Sequence, residues 1–404
     1  MHVLATVTGN ASHTRSLTIA LRPLIEAGHQ VTIAAPPELA PLLDSLGAEV
    51  HAALPGFENM LRDPERAAKM RELAASTDTT TQISWITSAP FVLEAARTVI
   101  ALAETVRPDV IVRDDAEFGA VLAGEHLGIP HVSLCGGASN LLDPALAIEG
   151  LNGHWAALGH AEPLPAEAIY RHGRADYVPA AFDFAVHDTG LVRRYRQPVL
   201  TRAGERLPEW IAELSGQSPF VYASLGTALP MVVAREPDSI PMPMTTDPVR
   251  SLASIIAAVS ELDCVALVST GGLPTPATPP PAHVHVVEHA PQPLVLEVAD
   301  LFITHGGYNS VREALRSATP MLVIPGFGDQ PHDGARVTEL GLGEMTTEPS
   351  PERVAQLAGQ ILGQPGYTRR ARQARAHVLA LPPLEQFVED LQALVDGAAL
   401  VTAS

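Results

Sequence analysis

"ADLFITHGGYNSVREALRSATPMLVIPGFGDQPHDGARV", residues 299–337, decides how this 404-residue chain is read. "LFIT" (301–304) is short, apolar and β-prone, as a buried strand would be. His305, Gly306 and Gly307 make a turn, "NSVREAL" opens a helix, and "PMLVIP" (320–325) reads as the next strand. Strand, turn, helix and strand in that order form the unit of a parallel α/β sheet. Two glycines let a ligand approach the main chain, and the exposed N–H groups of a helix start attract anions. His305 adds a donor aimed at the same oxygens, so a diphosphate suits the turn. Ser310 followed by Glu313 also fits a capping box, in which the serine caps the helix and the glutamate reaches back. Residue types alone leave both readings of Glu313 open.

Outward from that stretch the same alternation recurs. "HVLATV" (2–7), "QVTIAA" (30–35), "VIVR" (110–113) and "PHVSLC" (130–135) read as strands in the first half. "PFVYASLG", "VALVST" and "HVHVVE" join "LFIT" and "PMLVIP" in the second, which restarts near residue 219. Residues 16–27 place Leu17, Ala20, Leu21 and Leu24 on one face, as an amphipathic helix does. Pro108 and Gly128 mark helix stops. Residues 55–95 and 136–185 are too long for simple connections, and long insertions on an α/β scaffold usually line binding sites. Residues 228–250 and 271–282 read as loops. The length exceeds what one hydrophobic core organises, so two domains are expected.

A formal charge of −19 disfavours a nucleic-acid partner, which needs a basic face for phosphates. Cys135 and Cys264 lie far apart in apolar surroundings and read as buried, reduced thiols. No leader pattern precedes the first strand and no apolar run approaches the ~18 residues of a membrane span, so a cytoplasmic protein without a membrane span is expected. The histidines have no zinc-site spacing. His154 and Trp155 are candidates either for an acceptor pocket or for packing.

"HGGYNSVREAL" with the later "DQ" (329–330) resembles the nucleotide-sugar signature of family 1 glycosyltransferases, inverting enzymes of GT-B fold, in its bacterial natural-product and macrolide form. "APQPLVLEVAD" (290–300), "VYASLGT" (221–227) and "YVPAAFD" (177–183) extend the resemblance over most of the chain. It implies two facing Rossmann-like domains with a cleft between them. An acceptor-binding domain would span 1–200, a linker 201–218 and a nucleotide-sugar-binding domain 219–383, with 384–404 crossing back onto the first domain. It also implies that His305, Gly306 and Gly307, with Asn309 and Ser310, hold the donor diphosphate. Glu313 would bind the ribose, Asp329 and Gln330 the sugar, Ala290 and Gln292 the base, and Ser224, Gly226 and Thr227 would lie near the phosphates. His289 stands where plant members stack a tryptophan on uracil, so either a thymidine- or a uridine-diphosphate sugar is expected as donor. A small lipophilic acceptor, no cofactor, no metal and, among the allowed assemblies, a homodimer complete the expectation. A sugar-nucleotide epimerase and a non-catalytic auxiliary protein are the alternatives on the same fold.

"VTGNASHTRS" (7–16) follows the first strand. A dinucleotide-binding protein carries its glycine-rich phosphate loop here; this chain has one glycine, Gly9, and His13 instead. Transfer to a hydroxyl needs a base, and a neutral histidine suits the task. A carboxylate on the far nitrogen would fix the tautomer and support the imidazolium. Asp114 or Asp115, in "VIVRDDAEFG", is the candidate. The resemblance places His13 at the family's base, although Ser16 replaces its usual proline. It places Asp114 at the partner.

Overall fold

The computed structural model describes residues 1–9, 11–56, 64, 68, 79–201, 204–214, 216, 218–227 and 244–397. About half of the insertion expected over 55–95, and residues 228–243 of the loop expected over 228–250, lie outside the described residues. At its far end that loop gives way to a helix from Pro248, capped by Asp247.

Both halves fold as expected into Rossmann-like α/β units. In the first, a seven-stranded sheet runs β3-β2-β1-β4-β5-β6-β7. Its strands are β1 His2–Thr6, β2 Gln30–Ala35, β3 Glu49–Ala52, β4 Val110–Asp114, β5 His131–Leu134, β6 Arg174–Asp176 and β7 Val192–Arg194. In the second, a six-stranded sheet runs β10-β9-β8-β11-β12-β13. It is built from β8 Phe220–Ser224, β9 Val265–Ser269, β10 Val284–Val287, β11 Leu301–Thr304, β12 Met321–Val323 and β13 Gly343–Met345. Every pairing in both sheets is parallel. The central strands are buried along their whole length, which is why they read as unbroken apolar runs rather than alternations.

The two orders match except for the extra edge strand β7, so strand order reverses at the same place in each sheet: between β1 and β4, and between β8 and β11. In open α/β sheets ligands bind outside the strand ends at such a switch point. Here the sequence motifs meet the topology, since one motif follows or ends each of those four strands.

The division of the chain is not the division of the packing. Cys135, Val178, Phe182 and Phe184 from the first half pack with Phe220, Phe302 and Tyr308 of the second. At the other end, α11 (Gln386–Val395) returns to the first half, where Leu384, Phe387 and Leu391 join the core of β1 and α1 (Ala11–Glu26). Tyr195 packs edge-on to Phe387 and its hydroxyl donates to Asp390 at 2.6 Å. Leu391→Ala is expected to lower stability by about 2–4 kcal/mol, the cost of a buried leucine and its cavity. A lower urea midpoint with unchanged slope is the expected readout.

The described part of the insertions forms a helical layer on the first half. Ile83, Val92, Phe118, Leu142, Ile148 and Trp155 are buried together there. Trp155 stacks on His160 at 3.5 Å and donates to the Glu162 carbonyl, so it packs this layer rather than facing a ligand. His154 beside it is buried. Both cysteines are buried and unbridged. No single helix among the described residues is long and apolar enough to cross a membrane.

Candidate functional site

At the first switch point, β1 and β4 are neighbours in register, Thr6 opposite Arg113. Their carboxyl ends therefore deliver His13 and Asp114 to one place, 101 residues apart in the chain. His13 is not on the loop that the amphipathic pattern suggested. It is the third residue of α1, which begins at Ala11, because the polar first turn "ASHTRS" carries no apolar periodicity to announce it. Gly9 makes the turn in front of it at φ +82°, and a Cβ there would come within 2.8 Å of the His13 ring. The lone glycine of the loop thus serves two needs, a left-handed turn and room for the imidazole.

Nδ1 of His13 lies 2.8 Å from Oδ2 of Asp114, whose other oxygen accepts from the Ala116 N–H at 3.0 Å. Asp114 is 2% exposed and the His13 side chain 17%. Burial alone would hold the imidazole uncharged, but Asp114, with Asp115 and Asp329 further out, overrides it and raises the pKa to about 9. The neighbouring aspartate has different work. Oδ2 of Asp115 accepts from the N–H groups of Gly137 and Ser139 at 3.2 and 2.9 Å and so shapes the loop after β5. Asp114 is the last residue of β4 and Asp115 follows it in the turn; of the two, Asp114 is the one hydrogen-bonded to His13. Single ligand atoms of His13, Asp114 and Asp115 fall within 4.8 Å of one another, the one grouping among the described residues with metal-ligand chemistry. Two of those three residues are already joined as a hydrogen-bonded pair; the third is held by main-chain donors at Oδ2, while its Oδ1 is buried without a hydrogen-bond partner.

At the second switch point, Ser224 ends β8 opposite Thr304, and His305 follows β11. The His305 ring is wedged between two glycines: a Cβ on Gly226 would lie 2.5 Å from its Cε1, and one on Gly307 would strike its Nε2. Gly306, at φ +81°, has no room for a side chain against Val323. His305 is 8% exposed, and Nδ1 is buried without a hydrogen-bond partner. Burial lowers its pKa to about 4, so the ring is a neutral donor. The helix α7 (Tyr308–Ser317) starts immediately beyond, with Gly307 as its cap and no side chain closing its first turn.

The capping box read from Ser310 and Glu313 is therefore not formed: both residues lie inside the helix. Oε2 of Glu313 accepts from Gln292 Nε2 at 2.8 Å, and Oε1 pairs with Arg15 of the first half. Gln292, expected at the base, turns to Glu313 and Ser310 instead and accepts from the Tyr222 hydroxyl. Ala290 is half-buried above it, His289 is 69% exposed beside Glu288, and Thr227 is exposed. Oε1 of Gln330, expected at the sugar, accepts from the N–H groups of Gly326 and Phe327 at 2.8 and 3.1 Å and orders the loop before it. Asp329 lies against Gly137 of the first half, where any side chain would strike its carboxylate. Burial raises it to about 6, with His13 opposing.

The structure brings the two switch points face to face. Asn309 donates from Nδ2 to the Ser12 carbonyl at 3.0 Å and accepts from the Ser16 hydroxyl at 3.0 Å. Arg312 donates to the Cys135 carbonyl at 2.9 Å and to Ser16 at 3.1 Å. Tyr308 donates to Asp176, itself beside the fully buried Arg174. Arg15, Arg312, Tyr308 and Asp176 escaped the sequence reading, because each acts through a partner in the other half. The only hint was an arginine and a tyrosine embedded in the "HGGYNSVREAL" stretch, where a buried helix face calls for apolar residues.

The family of the erythromycin biosynthesis protein CIII-like C-terminal domain matches residues 253–394. The chain is 27% identical to the NDP-glycosyltransferase YjiC of Bacillus subtilis over 81% of its length and 80% of that protein's. It is 24% identical to the tylactone mycaminosyltransferase of Streptomyces fradiae over 98% of its length and 92% of that protein's. Among solved structures, the spinosyn rhamnosyltransferase SpnG complexed with thymidine diphosphate superposes with a TM-score of 0.73 at 20% identity, covering 97% of this chain and all of that one.

Proposed function

The chain belongs to the family 1 glycosyltransferases of GT-B fold, and from that premise we propose that it moves a sugar from a nucleoside diphosphate to a hydroxyl of a lipophilic natural product, with inversion at the anomeric carbon. One observation carries the reading. A histidine–aspartate pair at the end of one sheet faces a neutral histidine and an unclosed helix start at the end of the other. His13, held through Nδ1, removes the acceptor proton with Nε2. The diphosphate leaves against His305 and the main-chain N–H groups of the helix start, where charge develops. Attack from one half and departure toward the other is a single displacement, which inverts the centre. No step needs a metal.

A thymidine- or uridine-diphosphate sugar fits as donor, and the tylactone and spinosyn of the relatives' names support a macrolide-like acceptor for antibiotic biosynthesis. Phe118 of the buried apolar helical layer lies four residues beyond Asp114, so that layer adjoins the base in the chain.

The reading is tested by thermal shift against nucleoside diphosphates and their sugars. A ligand that binds only the folded state raises its melting temperature with the logarithm of its saturation. At least one thymidine or uridine diphosphate is expected to stabilise the protein, and His305→Ala is expected to weaken it by about tenfold, the worth of one hydrogen bond to a charged group. No shift with any nucleotide would overturn the proposal.

A further inference from the structure

The leaving diphosphate is strongly anionic, yet the turn after β11 offers it neutral donors: N–H groups and a His305 ring that burial keeps uncharged. Arg312, the cation in α7 closest to the helix start, is buried, and its guanidinium is taken by the Cys135 carbonyl, the Ser16 hydroxyl and the Asn309 side chain. Arg15 is placed differently. It lies two residues after His13 on α1, is 38% exposed, and pairs through Nη2 with Glu313, which is 2% exposed. With Gln292 on the other oxygen, Glu313 is held by protein groups on both sides, one from each half.

A ribose that binds Glu313 must displace Arg15, since Gln292 belongs to the same half and can stay. The first turn of α1 does not depend on that ion pair for its position. Ser12, Ser16 and Asn309 hold it beside the start of α7 through their own hydrogen bonds. An arginine whose backbone is fixed there, and whose head is released from Glu313, sweeps across the helix start.

We propose that Arg15 exchanges partners when the donor binds: it covers Glu313 in the nucleotide-free protein, then yields that carboxylate to the ribose and becomes the cationic ligand of the diphosphate. The proposal rests on Glu313 and His305 being the ribose and diphosphate sites. It makes the site selective for a diphosphate over a nucleoside. A nucleoside must break the Arg15–Glu313 pair and gives the guanidinium nothing in return, whereas a diphosphate offers it a charged, bidentate partner.

The test is calorimetric titration of thymidine and thymidine diphosphate, with the uridine pair alongside, into the wild-type protein, Arg15→Ala, Arg15→Gln and Arg15→Lys. In Arg15→Ala and Arg15→Gln, diphosphate affinity is expected to fall about tenfold or more, the usual worth of a charge-assisted contact. Nucleoside affinity is expected to hold or improve, because Glu313 is uncovered. Arg15→Lys keeps the charge and most of the diphosphate affinity. Added salt weakens diphosphate binding more in the wild type than in Arg15→Ala. Equal weakening of nucleoside and diphosphate would mark Arg15 as a structural clasp and overturn the exchange, as would no change in either. If the wild type binds neither diphosphate, the donor reading itself has failed, which is seen before any variant is compared.

Discussion

His13→Ala is expected to lower the rate of sugar transfer by about a hundred- to ten-thousand-fold, the range for a positioned general base. Affinity for the nucleotide should stay within about threefold, because His305 and the helix start lie on the other sheet and share no hydrogen bond with the ring. Alanine also leaves Asp114, 2% exposed, without its partner, and a stranded buried carboxylate destabilises a fold. His13→Gln separates the two effects. Its amide can donate to Asp114 and preserve the packing, but it cannot take a proton near neutral pH. Both variants are expected to be slow, with the glutamine form melting close to the wild type. The measurement is single-turnover transfer with saturating donor. Turnover within tenfold of wild type in the folded glutamine variant would remove His13 from the chemistry.

The central strands were legible because strands buried on both faces write continuous apolar runs, as "VIVR" and "LFIT" do. The strands that escaped are short and lie at or next to sheet edges: "EVHA", "RAD", "VRR" and "GEM" form β3, β6, β7 and β13 with little apolar content. Arg174 and Asp176 in β6 are buried as partners of each other, and a buried ion pair looks polar, hence loop-like, in sequence. His13 and Asp114 could be named singly, each at the end of a recognisable strand. That they touch follows from β1 and β4 being neighbours, a fact of strand order that no local pattern encodes. Residue types alone left Asp114 and Asp115 open, and the hydrogen bond to His13 tells them apart. Arg15 and Glu313 are 298 residues apart, and Gln292 and Gln330 turn inward to hold a carboxylate and a loop. Motif matching locates such residues at the site but not the atoms they point at.

The matching strand orders give a physical reason for the division of labour between the halves. Each switch point presents a strand-to-helix turn to the cleft, and what occupies it depends on the side chains there. The second turn has glycines on both sides of His305 and keeps its helix start unclosed, so it suits an anion. The first has one glycine, spent on the His13 ring, and two aspartates at the adjoining strand end. A diphosphate would be repelled there. The same negative field makes a histidine more basic, so the acidic turn that cannot hold a phosphate is suited to accepting a proton.

That field predicts a pH dependence with a definite sign. Its pKa of about 9 leaves His13 protonated at neutral pH in the unliganded protein, and an imidazolium has no lone pair to offer. Transfer measured as kcat/KM, which reports groups in the free enzyme, is therefore expected to climb about tenfold per pH unit below the inflection and to level off near pH 9. Asp114→Asn removes the largest influence that raises the ring's pKa and leaves the burial that lowers it. The inflection must move to lower pH. The plateau must fall as well, by about a hundredfold or more, because an asparagine neither fixes the Nδ1–H tautomer nor supports the imidazolium formed as the acceptor loses its proton. The two changes oppose each other near neutral pH, where the variant has more unprotonated base but each base is worse, so the deficit is smallest there and widens toward pH 9. A structural role for Asp114 would lower the rate equally at every pH. An inflection that stayed at the wild-type position would show that the group titrating in the rate is not the ring beside Asp114.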